Sequence, residues 1–214
     1  MSRIRRRPGT KEEILTFSPP LVLKPEEFKG KWYSCFNNSN PLHLELGMGK
    51  GTFVRTLAEQ NPDINYLGLE LREEVLLAGI KNSLALPKNL GFIWTDIKEI
   101  DRYFGEDEVE RIYINFCDPW PKVRHAKRRL THSGFLNIYK KVLVRKGEIH
   151  LKTDNEQLFE FSLNEFANNN WKLQNISLNL YNNLPENNIP TEYELKYVSK
   201  GLPIYRLEAK SPFY

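Results

Sequence analysis

With 214 residues, the chain can bury one sizeable core and is short for two domains. Lysine and arginine number 31 against 27 aspartates and glutamates, a modest net charge of +4, but two separated cationic clusters, from Arg3 to Lys11 and from Lys122 to Arg129, suit a grip on a polyanion more than general solubility. No apolar run approaches the roughly 20 residues that span a bilayer, and Cys35 and Cys117 have neither metal-ligand nor disulfide-framework spacing, so a reducing, cytoplasmic setting is expected.

Residues 1–40 read as a basic N-terminal extension. Arg3, Arg5, Arg6, Arg7 and Lys11 crowd its start, no apolar segment follows them to make a signal sequence, and a short helix is expected near Lys24 to Lys31. From Leu42 onward short apolar runs alternate with amphipathic stretches, the pattern of a mostly parallel sheet. Leu42 to Leu46 reads as a buried strand, and Thr52 to Gln60 as a helix stopped by Asn61-Pro62. A strand over Tyr66 to Leu71, a helix over Glu73 to Leu86 ended by Pro87, and a strand over Leu90 to Thr95 follow.

Arg111 to Phe116 is a fourth strand. Ser133 is placed to cap a helix that carries Phe135, Leu136, Tyr139 and Val142 and ends at Gly147. Glu148 to Thr153 is a fifth strand, and Asp154-Asn155-Glu156-Gln157 precedes another helix with capping-box-like spacing. Lys172 to Leu180 and Leu202 to Lys210 read as strands joined through the polar stretch Tyr181 to Tyr193. This tail departs from the βα alternation and suits an antiparallel hairpin at the sheet edge.

Glu45-Leu46-Gly47-Met48-Gly49-Lys50-Gly51 lies between the first strand and its helix, where a doubly wound sheet carries its cofactor loop. The spacing is G-x-G-x-G, whereas the dinucleotide fingerprint wants its third glycine one position later. Glu70 closes the second strand about twenty residues on, where a carboxylate can accept ribose hydroxyls. Asp96 ends the third strand, placed for an adenine amino group. Glu70 and Asp96 also fit helix caps or first-turn acids.

This E-x-G-x-G-x-G loop with later acidic strand ends resembles the class I S-adenosylmethionine-dependent methyltransferases. The stretch Phe116-Cys117-Asp118-Pro119-Trp120-Pro121-Lys122, followed by Arg124, His125, Lys127, Arg128 and Arg129, is similar to that of the bacterial tRNA (guanine-N7)-methyltransferases. Lys152-Thr153-Asp154 and Thr191-Glu192-Tyr193-Glu194 extend the resemblance toward the C-terminus. It implies an α/β Rossmann-like fold: a doubly wound, mostly parallel seven-stranded sheet with an antiparallel edge hairpin and helices on both faces. Residues 1–214 would form a single methyltransferase domain.

The resemblance also implies roles. Glu45, Gly47, Gly49, Gly51, Glu70, Asp96 and Asp118 would hold S-adenosylmethionine, and Asp118 would also be catalytic. Lys122, Asp154, Thr191, Glu192, Tyr193 and Glu194 would bind the acceptor nucleotide, and Arg124, His125, Lys127, Arg128 and Arg129 would bind RNA. The reaction would methylate N7 of the variable-loop guanine at tRNA position 46 and release S-adenosylhomocysteine, without a metal or a membrane, in a monomer or homodimer.

The residue chemistry agrees. Guanine N7 carries an exposed lone pair and no proton, so transfer needs positioning more than a base, and carboxylates near the ring stabilise the positive charge that develops. Two other readings stay open. A D-P-P-W-like turn also occurs in enzymes that methylate an exocyclic base amine, although Trp120 stands here at the second proline position. A non-catalytic RNA-binding protein of the same fold is the other, and it leaves the glycine loop unexplained. Asp154 also fits a helix N-cap, Glu192 and Glu194 a solvated loop, and Trp120 ordinary core packing.

Overall fold

A computed structural model describes residues 7–17, 20–82 and 87–212. Before the sheet come α1 (Thr10–Leu15), a 3-10 turn at Pro25–Phe28 and α2 (Tyr33–Phe36). The expected helix near Lys24 to Lys31 is therefore a single tight turn started by Pro25, and α1 was not legible. Arg3, Arg5 and Arg6 lie outside the described residues, as does Leu86, the expected end of the helix begun at Glu73.

The alternating body follows as β1 (Leu42–Leu46), α3 (Thr52–Gln60), β2 (Asn65–Glu70), α4 (Glu73–Lys81), β3 (Leu90–Trp94), α5 (Ile100–Tyr103) and β4 (Val109–Asn115). It continues with α6 (Ser133–Val142), β5 (Leu143–Thr153), α7 (Glu156–Asn168), β6 (Lys172–Ser177), α8 (Glu192–Val198) and β7 (Tyr205–Lys210). The strands form one sheet in the order β3-β2-β1-β4-β5-β7-β6. The first five in that order pair in parallel, and β7 runs antiparallel to both β5 and β6. The expected edge hairpin is thus present, with the last strand inserted inside the sheet and β6 left at the rim.

Successive strand residues point to opposite faces, so β2, β3 and β4 each feed two cores. Leu44, Leu46, Leu69, Ile112, Ile114 and Leu151 pack with Leu136 and Tyr139 of α6 and Phe159 and Phe166 of α7. On the other face Tyr66, Phe92 and Tyr113 pack with Val54 and Leu57 of α3 and Leu76 and Ile80 of α4. Both faces are covered by helices, which is why β1 and β2 are buried along their whole length.

Several boundaries differ from expectation: β6 ends at Ser177, not Leu180, and β7 begins at Tyr205, not Leu202. Helix α6 stops at Val142, and β5 starts at once with Leu143. Gly147 is not its cap: a Cβ there would meet the Val144 carbonyl at 2.9 Å, so the glycine permits a close backbone approach within a bulged strand. The stretch expected only to link two strands instead holds α8, begun by a capping box in which Thr191 Oγ1 accepts from the Glu194 amide.

Strand order reverses between β1 and β4, since β1 continues to β2 on one side while β4 lies on the other. An open sheet of this kind forms its ligand crevice at the carboxyl ends of those strands. The loops after Leu46 and Asn115 both emerge there.

Candidate active site

The crevice is a cavity of about 580 Å³. Its lining includes Glu45, Gly47, Gly49, Glu70, Asp118, Trp120, Arg128, Thr191, Glu192 and Tyr193 from the sequence-derived set. The glycine loop and the Asp118 turn, read separately in the sequence, face one space. Met48, Lys50, Thr52, Arg72, Asn115 and Lys196 also line it and were not singled out.

The loop owes its path to Gly47, Gly49 and Gly51, whose φ angles of 73°, 60° and 71° lie in the left-handed region that side chains resist. Beneath it, Gly68 of β2 leaves room for Met48; a Cβ at that position would clash with the Met48 sulfur. The Gly49 amide then donates to Glu70 Oε2 at 3.1 Å, while the Leu71 and Arg72 amides donate to Oε1, each at 2.9 Å. Glu70 therefore fixes the loop against the start of α4, with the opening of the crevice beside it. Burial raises its pKa, against the lowering effect of those amides.

Glu45 is buried at the crevice and only half satisfied. Its Oε1 accepts from Asn115 Nδ2 at 3.1 Å, but Oε2 has no hydrogen-bond partner although it is buried. Burial pushes its pKa up to about 8. A buried carboxylate oxygen without a donor is costly, and a cationic or N–H ligand group meets that need.

The opposite wall is built from strained backbone. Phe116 and Trp120 both have positive φ, 51° and 42°, and bracket Cys117-Asp118-Pro119. Cys117 faces inward, where burial pushes its thiol up to about 12; Asp118 turns outward, with Oδ2 3.8 Å from Arg72 Nη2. The Phe116 ring stacks near Tyr193 and Tyr197 of α8, with centroids 6.5 and 6.2 Å away.

A buried ion pair fastens α8 over the sheet. Lys152 Nζ donates to Glu194 Oε2 at 2.9 Å and to the Ile189 carbonyl at 3.0 Å. Glu194 Oε1 accepts from Asn188 Nδ2 at 2.9 Å and from the Tyr181 hydroxyl at 3.1 Å. Glu194 is fully buried, so its carboxylate faces these partners and lies outside the cavity lining.

The remaining residues of the set lie around the crevice. Gly51 caps α3, and Asp96 sits beside the lining residue Ile97, its Oδ1 accepting from the Lys98 amide at 3.0 Å. Asn155, not Asp154, caps α7, its Oδ1 accepting from Leu158. Burial, and then contact with the Asp154 carboxylate, raise the pKa of Tyr197. Lys122, Arg124, Lys127 and Arg128 are exposed on and beside the 3-10 turn Val123–Arg128, whereas His125 and Arg129 are half-buried. Among the described residues no group of three or more His, Cys, Asp or Glu side chains is arranged to hold a metal, and no helix is long and apolar enough to cross a membrane.

Comparison with known proteins meets this geometry. A family model described as "Putative methyltransferase" matches residues 39–207. The chain is 56% identical over 211 residues to a tRNA (guanine-N(7)-)-methyltransferase of Clostridioides difficile (strain 630), covering 97% of this chain and 98% of that one. It is 48% identical over 210 residues to the protein of the same name from Lysinibacillus sphaericus (strain C3-41), covering 97% of each. The crystal structure of the 16S rRNA methyltransferase KamB shares the fold, with a TM-score of 0.65 at 13% identity over 86% of this chain and 94% of that one. The chain belongs to this methyltransferase family and, within it, to the tRNA (guanine-N7)-methyltransferases.

Proposed function

We infer that the chain transfers the methyl group of S-adenosylmethionine to N7 of a guanine in tRNA. The observation that carries this is the meeting of the glycine loop, Glu45 and Glu70 with Asp118, Trp120 and Tyr193 around one cavity. The acceptor is the guanine at position 46 of the variable loop, as the family resemblance implies, and the setting is the cytoplasm. Residues 1–214 act as one methyltransferase domain, as a monomer or homodimer.

The donor set fits the cofactor. The buried, unpaired Glu45 Oε2 suits an ammonium group. The open φ-positive glycines suit close backbone approach, and Glu70 suits ribose hydroxyls, for which carboxylate oxygens fixed by amides retain lone pairs. Asp96, at the end of β3, suits the adenine amine. S-adenosylmethionine supplies an electrophilic methyl on a sulfonium, and no metal is needed for that chemistry.

The chain's own residues hold and orient the acceptor. Guanine N7 has a free lone pair, so Asp118 need not take a proton from it. Asp118 stabilises the positive charge the purine acquires, a preorganised electrostatic role. Trp120, Phe116 and Tyr193 offer flat surfaces to the base, and Asp154, Glu192 and Thr191 offer acceptors beside it. Glu194 serves by holding α8 in place. Lys122, Arg124, His125, Lys127 and Arg128 meet phosphates, the contacts that dominate affinity for nucleic acid.

Incubation with labelled S-adenosylmethionine and unmodified tRNA tests this directly. Label released by chain cleavage selective for N7-methylguanosine is the expected result. Label in an exocyclic amine of the tRNA, or none in tRNA, refutes it.

A further inference from the structure

We propose that Arg129 is a positioning residue of methyl transfer, a clamp that holds the Asp118 turn in shape, rather than one of the phosphate contacts. The inference rests on the assignment of Asp118 to the acceptor wall. Arg129 Nε donates to the Pro119 carbonyl at 3.1 Å and to the Trp120 carbonyl at 3.3 Å, and Nη2 donates to the Trp120 carbonyl at 3.0 Å. Its guanidinium carbon lies 4.3 Å from the centroid of the Phe161 ring on α7. One face of the fork is thus stacked on a helix, and its edge is spent on the turn.

The turn needs such a donor. Pro119 and Pro121 lack amide hydrogens, so the segment has lost two of the groups that would close its own hydrogen bonds. Among the described residues no backbone amide donates to the Pro119 or Trp120 carbonyl. Trp120 is moreover held at a φ of 42°, a region a bulky residue occupies only when its surroundings impose it. A planar fork with several donors meets two adjacent carbonyls; a lysine ammonium does not reproduce that geometry. Lys127, exposed on the same segment, has no such part in the turn, and the Arg128 guanidinium lies over the Trp120 ring at 4.8 Å without bonding the turn's carbonyls.

The experiment compares Arg129→Ala, Arg129→Lys and Lys127→Ala in single-turnover methylation of tRNA at saturating substrate, together with tRNA binding over a salt series. For both Arg129 variants the maximal rate falls about tenfold or more, because small misplacement of a reacting wall is expensive. The slope of log affinity against log salt stays as in the parent. Lys127→Ala, the reference for a phosphate contact, lowers that slope by about one. Millimolar guanidinium partly restores the rate of Arg129→Ala, a rescue that loss of general packing would not show.

A parental maximal rate in Arg129→Lys, or a slope lowered in Arg129→Ala as in Lys127→Ala, overturns the proposal. If Arg129→Ala does not fold, Arg129→Lys, which keeps the charge and loses the fork, decides on the rate alone: a parental maximal rate overturns the clamp and a fall of about tenfold supports it. The parent protein, run beside the variants, separates this outcome from a wrong acceptor: without N7-methylguanosine from the parent, it is the functional assignment that fails.

Discussion

Lys50 of the glycine loop donates to Glu192 of α8, Nζ to Oε2 at 2.9 Å, and Thr52 Oγ1 reaches the other carboxylate oxygen at 3.3 Å. The glycine loop and α8, on two sides of the crevice, are thereby tied across 142 residues of sequence. Both charged side chains are about half exposed, at 54% and 50%, so the pair is screened and adds little to stability. Its effect falls on the relative placement of the loop and helix. Glu192→Gln is expected to leave the thermal midpoint within about 2 °C. The same change is expected to raise the KM for both cofactor and tRNA about two- to fivefold, because loosened positioning is felt by both ligands. Steady-state kinetics beside a thermal melt checks it, and an effect on the melt alone would remove the tie from function.

The buried pair between Lys152 and Glu194 behaves differently. Side-chain exposures of 9% and 0% leave no water to replace a lost partner, and burial already lowers the Lys152 pKa despite its neighbour. Glu194→Ala should cost about 3–5 kcal/mol, the usual penalty for stranding a buried charge. Replacing both with apolar residues, Lys152→Met with Glu194→Leu, should recover much of that loss. Urea unfolding of the three proteins is the measurement; a single variant as stable as the parent would show that α8 is held by something else.

These two carboxylates mark the limit of what the sequence displays. The parallel part of the sheet is legible because its strands carry short apolar runs and its helices keep a 3.6-residue period, and the glycine loop is legible because backbone geometry demands that residue type. Glu192 and Glu194 stand two residues apart in a stretch without apolar periodicity, and only the helix separates a cavity-lining side chain from a fully buried one. The T-x-x-E spacing of Thr191 and Glu194 was the available signal for that helix. Arg129 resembles its basic neighbours in sequence, and its contacts with Pro119, Trp120 and Phe161 are tertiary. Lys50 and Arg72 reach the crevice through loop geometry that composition does not encode.

If Glu45 pairs with the cofactor's ammonium as proposed, binding depends on pH. With its pKa pushed up to about 8, the group is mostly protonated at neutral pH in the free protein, whereas pairing with an ammonium requires the carboxylate. Cofactor binding should release a proton, and affinity should rise with pH up to about 8, approaching tenfold per unit well below it. Calorimetry in two buffers of different ionisation enthalpy detects the proton, and Glu45→Gln abolishes its release. For folding the sign is opposite. A raised pKa contributes stability that is complete below the ordinary value of 4.5 and is lost as pH rises through about 8, so cofactor should stabilise the protein most at the alkaline end.

Asp118 offers the sharpest test of the reaction itself. Its carboxylate is 45% exposed, and the nearby Arg72 guanidinium is 55% exposed at 3.8 Å, so the side chain owes its place to the turn more than to this weak pair. Asp118→Asn keeps the size and removes the charge that would face the purine as it becomes cationic. The expected loss is about 10²–10³ in the single-turnover rate, comparable to removing one preorganised electrostatic group. tRNA affinity should stay within about threefold, since phosphate contacts dominate affinity for nucleic acid and the proposed ones lie on the exposed basic run. Filter binding and single-turnover methylation measured on the same preparation separate the two effects. A parental rate would take the carboxylate out of the reaction, and a loss of affinity equal to the loss of rate would make it a binding group for the ground state.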